Sequence, residues 1–291
     1  FTLNLHGLRM NHDTLHRQGA GYVGKHAPDV MRTTDKWFRG IELSYAPDGS
    51  VYVLDWSDIG ECHDNEGIHR TSGRIFRISH GETESAEVNL DKLSNNKLAR
   101  IIDSRNEWHS RQARQLLQQR AAAGHDLTKA ALMVMNTYKL ATATPAALRA
   151  MWTLNAIGST DESWLLEQSN DEREHIRTWA IKLLIDQGPL STKTQKRFIK
   201  MAAKDNAGLV QLHLAGALQK LPLEKRWPLA TALVSQDTFA KDSVFPLMVW
   251  YGINPAVTEH RTEALKLVAN CKLPKVRQFI ARKLAGETGK K

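Results

Sequence analysis

Long apolar runs are missing from this chain of 291 residues: nothing approaches the ~18 consecutive apolar residues of a membrane-spanning helix, so no segment reads as one. Cysteine is nearly missing too. Cys62 and Cys271 are the only two and lie in different regions, which excludes a disulfide framework. Covalent haem c is excluded as well, because Ile59 stands where the first cysteine of a CxxCH site ending at Cys62-His63 would have to be. The chain opens at Phe1 with no initiator methionine, charged n-region or apolar h-region. A single set of three strands, described next, buries too little apolar surface to stand alone. The expectation is therefore a piece of a longer protein.

What is present begins at Trp37. Ile41, Leu43 and Tyr45 alternate with Glu42 and Ser44, Pro47-Asp48-Gly49 supplies a turn, and Val51, Val53 and Asp55 alternate with Tyr52, Leu54 and Trp56. A third strand is predicted at Arg74 to Ile78, and Thr2 to Leu5 reads as the end of another. These strands read as the last blade of a partial β-propeller over residues 1–80, a fold that closes only with about four to eight blades. Gly81 to Asn89 is polar and aperiodic, so 81–90 reads as a linker. From there Ala, Leu, Lys, Arg and Gln recur at helical spacing, and residues 91–291 read as all-α.

The helical part repeats. Arg111, Arg149, Arg177, Gln211, Pro246 and Arg277 occupy equivalent places in six apolar segments, separated by 38, 28, 34, 35 and 31 residues. One helix pair per roughly 33 residues lies in the α-solenoid range, and the absence of tetratricopeptide or ankyrin signatures favours HEAT-like repeats. Trp152, Trp179, Leu184, Leu214 and Leu218 are the expected core. Asp171 and Asp205, each six residues before an equivalent position, suit a turn acid facing a helix residue. The fold class expected is thus mixed, β then all-α: a partial β-propeller followed by a HEAT-like α-solenoid.

The order HGLRMNHDTLHRQGAGYVG, WFRGIELSYAPDGSVYVLDWSD, GECHD, FRI, RTWAIKLLID, LAGALQKLP, MVWYGINP and VRQFIARKLA resembles the large bacterial predicted membrane-bound dehydrogenases. Those join a propeller similar to glucose/sorbosone dehydrogenases to HEAT-like repeats and, commonly, to a C-terminal cytochrome c domain. The resemblance covers nearly the whole chain. It implies a periplasmic or cell-envelope oxidoreductase acting on a sugar or other alcohol, with a noncovalent PQQ-like quinone cofactor and Ca²⁺ in the full-length protein and haem c only outside this chain. No complete cofactor site carries over from it, since relatives bind theirs with several blades; Arg39, His69 and Arg70 are the candidate cofactor-binding residues.

Several short motifs carry chemistry. His6, Arg9, Asn11 and Arg17 follow the opening strand, where a propeller's funnel would place them; an Arg there could hold an anionic group and His6 could take a proton, so His6, Arg9 and Arg17 are the catalytic candidates. The plainer reading, a strand-terminal histidine satisfying backbone groups, stands beside it. Asp55, Asp58, Glu61 and Asp64 recur every third residue as hard oxygen ligands for Ca²⁺, with His63 and His69 available for a transition metal or proton transfer. Against this, Asp55 and Asp58 could cap turns and pair with Arg70 or Arg74. Gly19-Ala20-Gly21-Tyr22-Val23-Gly24 is a literal GxGxxG, but no evident helix follows it to face a phosphate, and it reads as a structural glycine loop. His12-Asp13-Thr14-Leu15-His16 imitates HExxH with the wrong acid and reads as surface histidines on a loop or short helix.

Residues 1–80 carry 9 Lys/Arg against 10 Asp/Glu, leaving 31 against 21 for the rest, so the net charge of +9 resides in the helical part. Lys193, Lys196, Arg197, Lys200 and Lys204 lack interleaved aromatics, which argues against nucleic acid. An acidic protein surface, such as a cytochrome c domain, or an anionic membrane surface is the expected partner. Two functions remain open: the C-terminal segment of a quinoprotein-type dehydrogenase, inactive as a fragment, with a helical scaffold docking an electron-transfer partner; or a non-catalytic carbohydrate- or protein-binding scaffold.

Overall fold

The computed structural model describes residues 1–59, 71–82 and 88–288. Two three-stranded antiparallel sheets come first, then a long run of helices. The first sheet has the order β1 (Thr2–Asn4), β2 (Arg9–Gln18), β3 (Gly21–Arg32); the second has β4 (Gly40–Tyr45), β5 (Val51–Asp55), β6 (Arg74–Ile78). The second sheet sits where the alternation puts it, with Val53 opposite both Leu43 and Phe76 and fully buried. The long β2–β3 hairpin does not follow from alternation. From Asp13 to Gln18 every residue of β2 is exposed, so the strand has no apolar face to give it period two.

Helices follow from residue 95: α1 (Asn95–Ile101), α2 (Glu107–Ala122), α3 (Thr128–Leu140), α4 (Thr144–Ala156), α5 (Glu162–Gln168) and α6 (Glu174–Asp186). They continue as α7 (Thr192–Lys204), α8 (Gly208–Ala217), α9 (Trp227–Val234), α10 (Phe245–Ile253), α11 (Arg261–Asn270) and α12 (Pro274–Thr288). Their starts are written locally. Ser94, Asp161 and Ser191 accept the third following backbone N–H at α1, α5 and α7, and proline occupies the first turn of α4, α9 and α10.

By packing, the chain divides into two compact units. One comprises Phe1–His16 with Val23–Lys139, the other Arg17–Tyr22 with Leu140–Lys291. The change from strand to helix thus falls near residue 90, whereas the units divide after Lys139, and Arg17–Tyr22 at the tip of the β2–β3 hairpin belongs to the second. In the first unit, Leu98, Ile102, Leu117 and Val134 are buried core, and the β4–β5 turn meets the start of α2: Asn106 Nδ2 donates to the Ala46 and Pro47 carbonyls, both at 3.0 Å.

In the second unit the helices pack in two rows of alternate members. One row runs α4, α6, α8, α10, α12; the other runs α5, α7, α9, α11. Leu214 and Leu218 are completely buried and Leu184 nearly so. Trp152 and Trp179 are only half-buried and meet edge to face at 4.9 Å. All six equivalent positions found in the sequence lie on even-numbered helices, α2 to α12.

Candidate functional site

The second sheet closes around Asp55, whose side chain is fully buried. Just beyond β5 the backbone turns at Ser57 with φ of +54°, a left-handed conformation that a non-glycine residue seldom adopts. Asp55 Oδ1 stabilises that turn by accepting the backbone N–H of Ser57 at 3.0 Å, and also that of Arg39 at 2.6 Å. Its Oδ2 takes Arg74 Nε at 2.7 Å, and Arg74 reaches on to Asp35 at 2.6 Å. Asp35 is held below the usual carboxylate range by the Trp37 backbone N–H and then by Arg74. Asp55 is therefore a turn cap and the partner of Arg74 across the sheet, with both oxygens in use. Asp58 is buried and its N–H donates to the Trp37 carbonyl at 2.9 Å. Arg39 spends its terminal nitrogens on three carbonyls, Lys36, Phe38 and Ile59, at 2.9 to 3.0 Å. Glu61, His63, Asp64, His69 and Arg70 lie outside the described residues. Among the described residues, no group of three or more His, Cys, Asp or Glu is arranged to hold a metal ion.

On the first sheet, Arg9 opens β2 and pairs with Asp29 of β3 at 3.5 Å. The Asp29 side chain is 9% exposed and also faces His26 Nε2 at 3.3 Å and Arg32 at 3.5 Å, while His26 Nδ1 meets Asp13 at 3.5 Å. Arg9 Nε, Asn11 Oδ1 and Asp29 Oδ1 are buried without a hydrogen bond. His6 sits in the exposed turn between β1 and β2. The HDTLH segment is strand rather than loop or short helix, so His12 and His16 are four residues apart along an extended chain, at roughly 13 Å by strand rise, and cannot share a metal as helical neighbours do. His12 stacks against Phe1 and His16 faces Thr14 at 3.0 Å.

Arg17 stands at the other end of β2 from Arg9, in the second unit. It forms an ion pair with Glu174 at the start of α6 and lies 4.4 Å over the Tyr22 ring. Tyr22 Oη meets His175 Nε2 at 3.2 Å, and burial, with the charge of Arg17, holds that imidazole below the ordinary histidine value. Between these two side chains lies the glycine motif. Gly19 has φ of +55°, which turns the chain so that the Ala20 N–H donates to Asp242 Oδ2 at 2.8 Å. Ala20 is completely buried, and a Cβ on Gly208 would come within 2.3 Å of its Cα. The glycine-rich loop is thus a hairpin tip seated at the starts of α6 and α8 and just before α10. The close approach of backbone to backbone is permitted by Gly208, while a Cβ on Gly19 would meet the Asp242 side chain.

Asp242 belongs to a series. Asn106, Asp171, Asp205 and Asp242 precede α2, α6, α8 and α10, and each accepts the N–H two residues on. Asp205 also takes Arg177 from α6 in a two-toothed ion pair at 2.7 and 3.0 Å, while Arg177 returns to the Asp171 carbonyl at 2.8 Å. The expected pairing of each acid with the residue six places on is therefore made through its carbonyl, Asp171 with Arg177 and Asp205 with Gln211; the Asp205 carboxylate serves α6, whereas that of Asp171 takes Arg173 at 2.8 and 2.9 Å. Glu174, His175, Gly208 and Asp242 carried no signal in the sequence, since Asp242 lies 222 residues from the Ala20 it binds. On α7, Lys193, Lys196, Lys200 and Lys204 are exposed, whereas Arg197 turns inward to Ser169.

A family model described as a domain of unknown function, DUF7133, matches residues 6–82. No curated protein and no solved structure matches the chain.

Proposed function

We propose that this chain is the structural and partner-docking segment of a larger, exported quinoprotein-type oxidoreductase similar to the glucose/sorbosone dehydrogenases, and that it performs no turnover alone. On this reading the sheets are the last part of a β-propeller and the paired helices a HEAT-like solenoid, whose net positive charge receives an acidic electron-transfer partner such as a cytochrome c domain. The observation that carries it is the commitment of the charged candidates to internal architecture: Arg17 to Glu174, Arg9 to Asp29, Asp55 to Arg74 and Arg39 to carbonyl oxygens. The two-row packing and the recurrence of the repeat positions on even-numbered helices support the solenoid.

Among the described residues, Arg39 has its terminal nitrogens on carbonyl oxygens and Arg74 sits against Asp55, which supports leaving oxidation of a sugar or alcohol to the remainder of the parent protein. The purified chain, supplied with PQQ, Ca²⁺ and a reducible dye, is expected to oxidise neither aldoses nor short alcohols. Dye reduction above the protein-free blank overturns the scaffold role.

A further inference from the structure

The same face of the helical unit that seats the hairpin tip continues into an apolar cavity of about 400 Å³. Its floor is Ile185 of α6, Leu212 of α8, and Val244 and Met248 at the start of α10. Gly216 opens the space, since the nearest atom to a Cβ placed there is Met248 Cε at 3.7 Å, an ordinary contact distance with room beyond. Leu212 joins the cavity to the tip, being the residue that Gly21 approaches most closely. Val244 is half-exposed although apolar, the state of a side chain lacking a partner.

The rim is cationic. Lys182 and Lys220 flank the cavity, with Lys182 held 4.3 Å over the Trp179 ring and so fixed in place. A second cavity of about 570 Å³ shares Ile185 and Lys220 and adds Lys225, against the single carboxylate of Asp186. An apolar floor between lysines matches a polypeptide segment that presents one or two apolar anchors among carboxylates. The hairpin tip is already an example of an extended segment seated on this face.

We propose that the groove formed by α6, α8 and the start of α10 binds an acidic segment of a partner protein, with a leucine- or phenylalanine-sized anchor in the Gly216 cavity and carboxylates on Lys182, Lys220 and Lys225. This deepens the docking role proposed above and rests on it only for the partner being a protein. Exposed lysines on α7 are the competing location.

The test uses the whole chain with ¹³C-methyl-labelled methionine and a panel of synthetic 12-residue peptides, each carrying one or two Leu or Phe among Glu and Asp. The expected result is movement of the Met248 methyl signal by the acidic peptides and not by lysine-substituted versions, with affinity falling as salt rises. Gly216→Leu, which fills the cavity, is expected to weaken binding by about tenfold or more. Should that variant lose helicity, Lys182→Glu with Lys220→Glu decides, because both side chains are exposed. Peptides that bind the unaltered chain and both variants equally, or that are lost only on replacing Lys193, Lys196 and Lys200, overturn the groove while leaving the docking role intact. Absence of any binding up to about 1 mM overturns both.

Discussion

Glycine 208 shows how far one missing carbon atom reaches. It occupies the first position of α8, where alanine is ordinarily at least as good, yet its Cβ would collide with the backbone of Ala20. Gly208→Ala is therefore expected to destabilise the helical unit by about 1–3 kcal/mol, the usual cost of forcing extra volume into a packed contact, read by urea denaturation. The same variant should expose the tip to proteolysis between Arg17 and Tyr22. His175, beside that tip, gives a pH effect of defined sign. Burial lowers its folded-state pKa below the ordinary histidine value of 6.5, so between the two values the unfolded chain binds more protons. Stability contributed there is present above pH 6.5 and lost as pH falls below it. Melting temperature should decline on acidification from about pH 7 to 5.5, and His175→Gln should flatten that decline.

Between elements, the recurring acid before an even-numbered helix does two jobs. Asp205 caps the turn into α8 through the Ala207 N–H at 2.9 Å and anchors α6 through Arg177. Both partners of the ion pair are largely buried, at 16% and 12% exposed, so truncation leaves a guanidinium short of its counter-charge. Asp205→Ala should cost about 2–4 kcal/mol in chemical denaturation, and Asp205→Asn less, since the amide oxygen still caps the turn. Asn106 stands at the corresponding place before α2 and spends its amide on the β4–β5 turn instead. One position in the repeat has thus been turned to two tasks: helix pairing at Asp205, and reception of a β-hairpin turn at Asn106 and at Asp242.

For the molecule as a whole, two compact units predict two unfolding steps. Differential scanning calorimetry should resolve them, with Gly208→Ala lowering only the step that belongs to Leu140–Lys291. A single transition with equal calorimetric and van't Hoff enthalpies contradicts this. Acid should weaken both units. Asp35 and Asp48 in the first, and Glu162 and Asp171 in the second, all have folded-state pKa values below the ordinary carboxylate values of 3.8 or 4.5. Backbone N–H groups are the leading cause for the first pair, Ser191 for Glu162 and Arg173 for Asp171. The folded state then binds fewer protons, so this stability is present above those ordinary values and is lost as pH falls beneath them.

Periodicity within a segment was readable from the residues alone. Alternation located β4 and β5, and the helical spacing after residue 90 placed the equivalent positions on the even-numbered helices, because burial of one face imposes a repeat of two or 3.6 on the residues that make it. β2 escaped that logic for the same reason: a strand exposed along most of its length obeys no apolar alternation. The glycine motif was legible as structural, but its seat was not. What holds Ala20 is Asp242 and Gly208, and nothing in local chemistry connects residues separated by about two hundred positions. Likewise a carboxylate such as Asp55 looks the same in sequence whether it faces a metal or an arginine. Only the fold, by bringing Arg74 and two backbone N–H groups against it, decides which charge it balances.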